Sequence, residues 1–143
     1  MKLSTRSRYG LRLMIALAMS YGGGPRLLKE IADTEELSEK YLGQLVIPLK
    51  SAGFISAVRG AKGGYELTRD PEEISPLEIV NVLEGDLFTR EEHTPASPGT
   101  LRAASELWEA LRRSMTEVLS SMTLGDLARN AGKKNNDSLM YSI

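Results

Sequence analysis

The chain has 143 residues, of which 41% are hydrophobic and 26% charged, and its formal net charge is −1. These values are typical of a globular protein of one domain, or of a small domain with an appendage, and exclude a disordered or collagen-like chain. No apolar run approaches the roughly 20 residues that span a bilayer. The N-terminus lacks a signal-peptide pattern, so we expect a cytoplasmic protein. Because the sequence contains no cysteine, thiolate nucleophiles, disulfides and cysteine-ligated metal centres are excluded.

The charge is unevenly distributed along the chain. Residues 1–70 contain eleven Lys and Arg against seven Asp and Glu, a net charge of +4, and residues 71–143 contain seven against twelve, a net charge of −5. A basic front half and an acidic back half fit a nucleic-acid-binding head on a dimerising body. They also fit a chance distribution.

The front half predicts three helices. The first covers residues 5–21, with Ser4 or Thr5 as N-cap, and ends at the GGGP of residues 22–25. A second helix over 27–36 and a third that begins at Ser38 form a helix-turn-helix pattern, which taken alone also fits any short helical hairpin. Pro48 is expected to kink the third helix, which continues for about one turn to Gly53.

The segment VRGAKGGYEL, residues 58–67, joins two strand-like runs at 54–58 and 65–68. Phosphate-binding glycine loops and dinucleotide fingerprints need a helix after their glycines, whereas a strand follows here, so neither reading fits. A basic hairpin directly after a helix-turn-helix is typical of a winged helix, and Arg59 and Lys62 at its tip suit a phosphate-lined groove. The alternative is a hairpin whose tip is only a solvated loop.

The back half predicts a helix over 75–87, a flexible loop over 88–100 and a long helix over 101–122. His93 lies alone in the loop, and nothing nearby completes a metal site. The long helix carries an apolar stripe at alternating spacings of three and four residues, which predicts dimerisation; packing against its own domain is the alternative. The stripe consists of Leu101, Ala104, Trp108, Leu111, Met115, Val118 and Met122.

A last short helix over 123–130 is expected to lead into a polar tail. The predicted fold is therefore mainly α with a small β-hairpin: a winged helix-turn-helix DNA-binding domain (1–87), a flexible loop (88–100), dimerisation helices (101–131) and a C-terminal tail (132–143).

Four segments resemble the Rrf2 family of dimeric winged-helix transcription regulators: STRSRYGLRLMIALA, IADTEELSEKYLGQL, LKSAGFISAVRGAKGGYEL and TLGDLA. The resemblance covers residues 1 to about 131 and extends to members that control cysteine metabolism. It implies a homodimeric repressor. One branch of the family holds an iron–sulfur cluster on cysteines in the loop before the long helix. Since this chain has no cysteine there, we expect no cofactor.

The fold and the resemblance together predict which residues contact DNA. The third helix is expected in the major groove, where Gln44 suits an adenine edge, and the wing in the minor groove of an AT-rich palindromic operator. The predicted contacts are Ser38, Lys40, Tyr41 and Gln44 on the third helix, Arg6, Arg8 and Lys50 on phosphates, and Arg59, Gly60 and Lys62 at the wing. Each of these is also compatible with an ordinary surface group, and Tyr41 with the core.

The resemblance further implies a protein partner, O-acetylserine thiol-lyase, which captures the C-terminal isoleucine of serine acetyltransferase. This chain ends MYSI, so Tyr141 and Ile143 are the candidate docking residues; a frayed terminus without a role is the alternative. A rival function is a protein-interaction module whose basic wing binds protein. The sequence offers no catalytic constellation, so we do not expect an enzyme.

Overall fold

The computed structural model describes residues 3–85 and 91–142, with residues 141 and 142 described by their backbone alone. It confirms the predicted fold class, mainly helical with one two-stranded antiparallel hairpin. The elements in chain order are α1 (Thr5–Met19), α2 (Leu28–Glu35), α3 (Glu39–Ser51), β1 (Ile55–Val58), β2 (Gly64–Leu67), a 3-10 turn (Pro71–Glu73), α4 (Pro76–Glu84), α5 (Gly99–Ser120) and α6 (Leu124–Ser142).

Helix α1 begins where predicted, because the Ser4 hydroxyl accepts a hydrogen bond of 3.2 Å from the Ser7 amide. Leu13 and Leu17 lie in the core, whereas Met19 at the C-terminal end is exposed. α1 is the central helix of the domain, since α3, α4 and α6 all pack against it.

The turn between α2 and α3 is fixed by backbone conformation and capping. Glu36 adopts the left-handed region (φ 57°) at the end of α2, and the Ser38 hydroxyl accepts from the Tyr41 amide at 3.2 Å to start α3. As predicted, α3 continues past Pro48, which has no N–H to donate, and then ends before Gly53 (φ 86°).

The wing is the hairpin of β1 and β2, paired from Ile55 opposite Leu67 to Val58 opposite Gly64. The segment before α2 extends it: Arg26 and Tyr65 exchange two backbone hydrogen bonds, at 2.9 and 2.8 Å. The wing is therefore tied to the helix-turn-helix through its backbone.

In the back half, the C-terminal ends of α5 and α6 differ from the prediction. α5 stops at Ser120, so Met122, the last residue of the predicted stripe, lies beyond the helix. The expected short helix over 123–130 with a polar tail is wrong, because α6 continues to Ser142. Its first turn is anchored in the core, where Leu124 is fully buried and its amide donates to the Ile74 carbonyl at 2.8 Å.

Between α4 and α5, residues 91–98 have no regular helix or strand, in agreement with the predicted loop, while its last two positions, 99 and 100, belong to α5. The remainder of that prediction, 88–90, lies outside the described residues. Across the described parts of the chain, no helix is long and apolar enough to cross a membrane.

Candidate nucleic-acid interface

The side chains of α3 divide into a buried face and an exposed face. Leu42, Leu45 and Leu49 are buried and hold the helix on the core. The opposite face is exposed along Lys40, Gln44, Ile47 and Ser51, at helical spacings of four, three and four residues. We refer to these four residues as the α3 stripe. Two predicted contact residues, Lys40 and Gln44, lie on it, and the predicted phosphate contact Lys50 is exposed beside it.

Ser38 and Tyr41 have structural tasks at the start of α3. The Ser38 oxygen is occupied by the cap bond to the Tyr41 amide, which leaves its O–H free to donate. Tyr41 is half-buried against the core, and its ring stands edge-on to Tyr9, with centroids 5.9 Å apart and planes at 87°. Tyr41 therefore packs partly against the core, which was the alternative interpretation of this residue.

The cations of α1 lie near this helix and differ in how far they are engaged. Arg12 donates to the Glu35 carbonyl at 2.6 Å, so it links α1 to α2. Arg8 is exposed, and its guanidinium lies 5.7 Å from the centre of the Tyr9 ring. Arg6 is exposed and lines an open groove of about 510 Å³ beside α3. The other lining residues are Tyr41, Gln44, Leu45, Ile47, Pro48 and Ser51.

The glycines of the wing shape its tip. A Cβ on Gly63 would lie 2.2 Å from the Val58 carbonyl oxygen, and a Cβ on Gly64 would lie 2.3 Å from the Arg26 carbonyl oxygen. Side chains at these positions would collide with backbone. Arg59, Gly60 and Lys62 are all exposed at the tip, which is the arrangement that the sequence predicts.

A carboxylate links the end of α4 to the start of α1. Glu84 accepts hydrogen bonds from the Ser4 hydroxyl (2.5 Å) and the Ser4 amide (2.8 Å). The hydroxyl bond is the main reason why the pKa of Glu84 lies below its usual value. Glu84 thereby holds the N-terminus of α1, next to Arg6, against the helix that precedes the loop.

The structure does not bring the other predicted residues to this interface. The predicted dimerisation stripe, apart from Met122, lies on α5, which has no buried residue, and two of its members, Trp108 and Val118, are 55% and 60% exposed. Ile143 and the side chain of Tyr141 lie outside the described residues. Within residues 3–85 and 91–142, no three His, Asp or Glu side chains are grouped to hold a metal ion.

Sequence reasoning missed Ile47 and Arg12. The signal for Ile47 was present, because it lies three residues after Gln44 and off the buried leucine stripe, on the same face as Lys40. Arg12 could not be assigned, since its partner is a carbonyl at the end of another helix.

Comparison with known proteins agrees with this architecture. The profile of the Rrf2 family, described as "Iron-dependent Transcriptional regulator", matches residues 3–130. The regulator CymR of Bacillus subtilis is 48% identical over 128 residues, which cover 90% of each chain.

Two solved structures are also similar. That of CymR, described as the global cysteine regulator of B. subtilis, has a TM-score of 0.79 and 47% identity, and covers 91% of this chain and 98% of its own. T. potens IscR has a TM-score of 0.77 and 40% identity, with 92% and 88% covered. These relatives are regulators and not enzymes, and DNA is accordingly a partner of this chain. The chain belongs to the Rrf2 family of transcriptional regulators.

Proposed function

We propose that this protein is a homodimeric transcriptional repressor that binds a palindromic, AT-rich operator. The observation that carries the proposal is the α3 stripe, an exposed helix face flanked by Arg6 and Lys50 in a helix-turn-helix with a basic wing. Helices of this kind insert into the major groove of B-DNA.

The contacts divide into those that read bases and those that fix position. Gln44 is the candidate for direct readout, because its amide pairs with the N6 and N7 edge of adenine. Lys40 and the free O–H of Ser38 reach bases or phosphates at the start of α3, and Tyr41 contributes its exposed edge. Arg6, Arg8 and Lys50 bind phosphates, which sets the register without specifying sequence.

The wing is proposed to enter the minor groove. Gly60, with φ 109°, lets the chain turn tightly between the exposed cations Arg59 and Lys62. A narrow AT-rich minor groove has an enhanced negative potential that attracts arginine. Arg59 is therefore the expected groove contact, and Lys62 an adjacent phosphate contact.

Two copies of α5 are proposed to form the dimer. Its apolar stripe is exposed in the single chain, and burying it against a second copy removes that surface from water. A two-fold dimer requires a palindromic site whose half-sites lie one helical turn, ~34 Å, or a multiple of it apart.

The regulated genes are proposed to serve cysteine and sulfur metabolism. The support is the 48% identity with CymR, whose solved structure is described as a cysteine regulator. The signal is proposed to come from O-acetylserine thiol-lyase, with Tyr141 and Ile143 as the docking residues. An iron–sulfur cluster does not fit this chain, because its iron atoms are held chiefly by cysteine thiolates and the sequence has none.

The first test is fluorescence anisotropy with labelled duplexes from upstream of cysteine-synthesis genes and with a scrambled duplex. We expect tighter binding of the gene-derived duplex and a steep loss of affinity as salt rises. Arg59→Ala should lose about 1–3 kcal/mol, whereas Arg113→Ala, on the exposed surface of α5, should bind as the unchanged protein does. Binding that depends on neither salt concentration nor DNA sequence would favour a protein-interaction module instead.

The second test titrates labelled O-acetylserine thiol-lyase with the full chain and with a chain that lacks Ile143. We expect binding that is lost on deletion and reversed by O-acetylserine. Met140→Ala, which keeps the terminal isoleucine, is the matched control and should bind normally. No binding by the full chain would overturn this partner and leave the DNA-binding proposal intact.

A further inference from the structure

One aliphatic side chain lies on the exposed face of α3. Ile47 is 69% exposed, whereas the Leu and Val residues of the same helix are at most 4% exposed. It lies three residues after Gln44 on the α3 stripe, so the two side chains are neighbours on one face. Ile47 therefore does not belong to the hydrophobic core.

The residues around Ile47 combine cationic, polar and apolar side chains. Ile47 lines the groove with Arg6, Gln44 and Ser51, and the groove is also lined by Tyr41 and Pro48, which are half-buried. Lys40 and Lys50 are exposed on the same helix. An exposed aliphatic side chain on a helix that also carries exposed cations suits the major groove of DNA, where phosphates flank the base edges. It does not match a protein interface, whose fully buried core is depleted of charge.

From this geometry we infer that Ile47 is a specificity-determining residue that contacts the 5-methyl group of thymine. The inference deepens the proposed DNA-binding function and rests on it. That methyl is the apolar group which the base pairs present in the major groove. Ile47 lies about 4.5 Å further along the helix axis than Gln44, which is close to the ~3.4 Å spacing of successive bases. Gln44 on an adenine and Ile47 on a thymine of the same or the next base pair would read an A·T-rich step together.

The test removes single methyl groups from the DNA. The operator is first selected by the unchanged protein from a random duplex library, and each thymine is then replaced in turn by deoxyuridine, which leaves all hydrogen-bonding groups in place. Anisotropy gives the Kd of each duplex at one salt concentration. We expect one or two thymines per half-site at which uracil weakens binding about fourfold, the value of one buried methyl group.

The matched variants are Ile47→Ala, Ile47→Val and Leu139→Ala. Ile47→Ala should lose the uracil penalty at those thymines, and Ile47→Val should keep most of it. Leu139, an equally exposed aliphatic residue on α6 (65%), should behave as the unchanged protein when replaced by alanine. Thermal unfolding of each variant shows that the fold is intact, as expected for an exposed position.

Two outcomes would overturn the inference. An equal uracil penalty in the unchanged protein and in Ile47→Ala would mean that another group touches the methyl. If Ile47→Ala weakened binding equally on every duplex, with or without the methyl groups, Ile47 would be a general DNA contact and not a thymine contact. Both outcomes leave the DNA-binding proposal intact. That proposal fails only if binding by the unchanged protein depends on neither sequence nor salt.

Discussion

At the scale of single residues, the wing contains glycine positions at which a Cβ atom would not fit. Gly64 combines a positive φ of 148° with an approach to the Arg26 carbonyl that leaves no room for a Cβ. The glycine at position 64 is therefore required by the close packing of the wing against the segment before α2. The strand β2 that follows these glycines also leaves no helix N-terminus at which a nucleotide phosphate would bind.

We predict that Gly64→Ala destabilises the protein by about 1–3 kcal/mol, because the new Cβ collides with backbone and the conformation is strained for an L-residue. Urea unfolding followed by circular dichroism measures the loss. Gly99→Ala is the control, since Gly99 has open space around it and no positive φ. Equal stability of the two variants would contradict the assigned clash.

A second residue-scale prediction concerns Glu84. The hydrogen bonds from Ser4 hold the pKa of Glu84 below its usual value, so they stabilise the folded protein above the ordinary pKa of a glutamate, and this stabilisation is lost as the pH falls through the lowered pKa. We expect Glu84→Gln to lower the melting temperature at pH 7 and the difference from the unchanged protein to shrink towards pH 3. Glu92→Gln, which makes the same change in the exposed loop, is the control. A constant difference between pH 3 and pH 7 would exclude Glu84 as the titrating group.

At the scale of elements, the start of each front-half helix was predictable and the end of α6 was not. Ser4 and Ser38 are caps whose signal is local, and Gly53 stops α3 because it adopts a positive φ. Gly132 resembles such a stop in the sequence. It is not among the positive-φ residues, so the helix continues through it at a cost of about 1 kcal/mol relative to alanine.

The wing was also predictable, since it depends on turn chemistry. Helical spacing contains the signal for the α3 stripe as well, although Ile47 was not predicted. Contacts that join distant segments were not. The Glu84–Ser4 bonds span 80 positions, and the Glu72–Arg129 ion pair that anchors α6 to the 3-10 turn spans 57. No local pattern encodes such pairs, because their members meet only after the helices have packed.

We predict that the two ends of α6 differ sharply in their contribution to stability. Leu124→Ala removes a fully buried side chain and should lower the free energy of unfolding by about 2–5 kcal/mol. Leu139→Ala, on the exposed end, should change it by less than about 0.5 kcal/mol. Denaturant unfolding of both variants provides the comparison. A similar loss in both would mean that the C-terminal turns of α6 are packed in solution.

At the scale of the whole molecule, α5 leaves apolar side chains exposed in the single chain. Its 22 residues span about 33 Å, it packs against α4, and none of its side chains is buried. Leu107, Trp108, Leu111 and Val118 together leave a large apolar surface in water. Such a surface on a folded domain favours association with a second copy.

The last prediction follows from this surface. Leu111→Glu places a charge in the centre of the proposed dimer contact, where its desolvation is costly, so we expect a monomer by analytical ultracentrifugation. Arg113→Glu introduces the same residue at an exposed position outside the stripe and should remain dimeric. A dimer in both variants would place the contact elsewhere.

The same pair of variants tests how dimerisation serves DNA binding. A dimer engages two half-sites at once, and the second contact is made at a high effective concentration. Leu111→Glu should therefore bind a full palindrome no more tightly than an isolated half-site, whereas Arg113→Glu should prefer the palindrome strongly. Because α3 and the wing are untouched in both variants, binding to the isolated half-site should be equal. A full preference for the palindrome in a monomeric Leu111→Glu would require the two copies to associate on DNA through another surface.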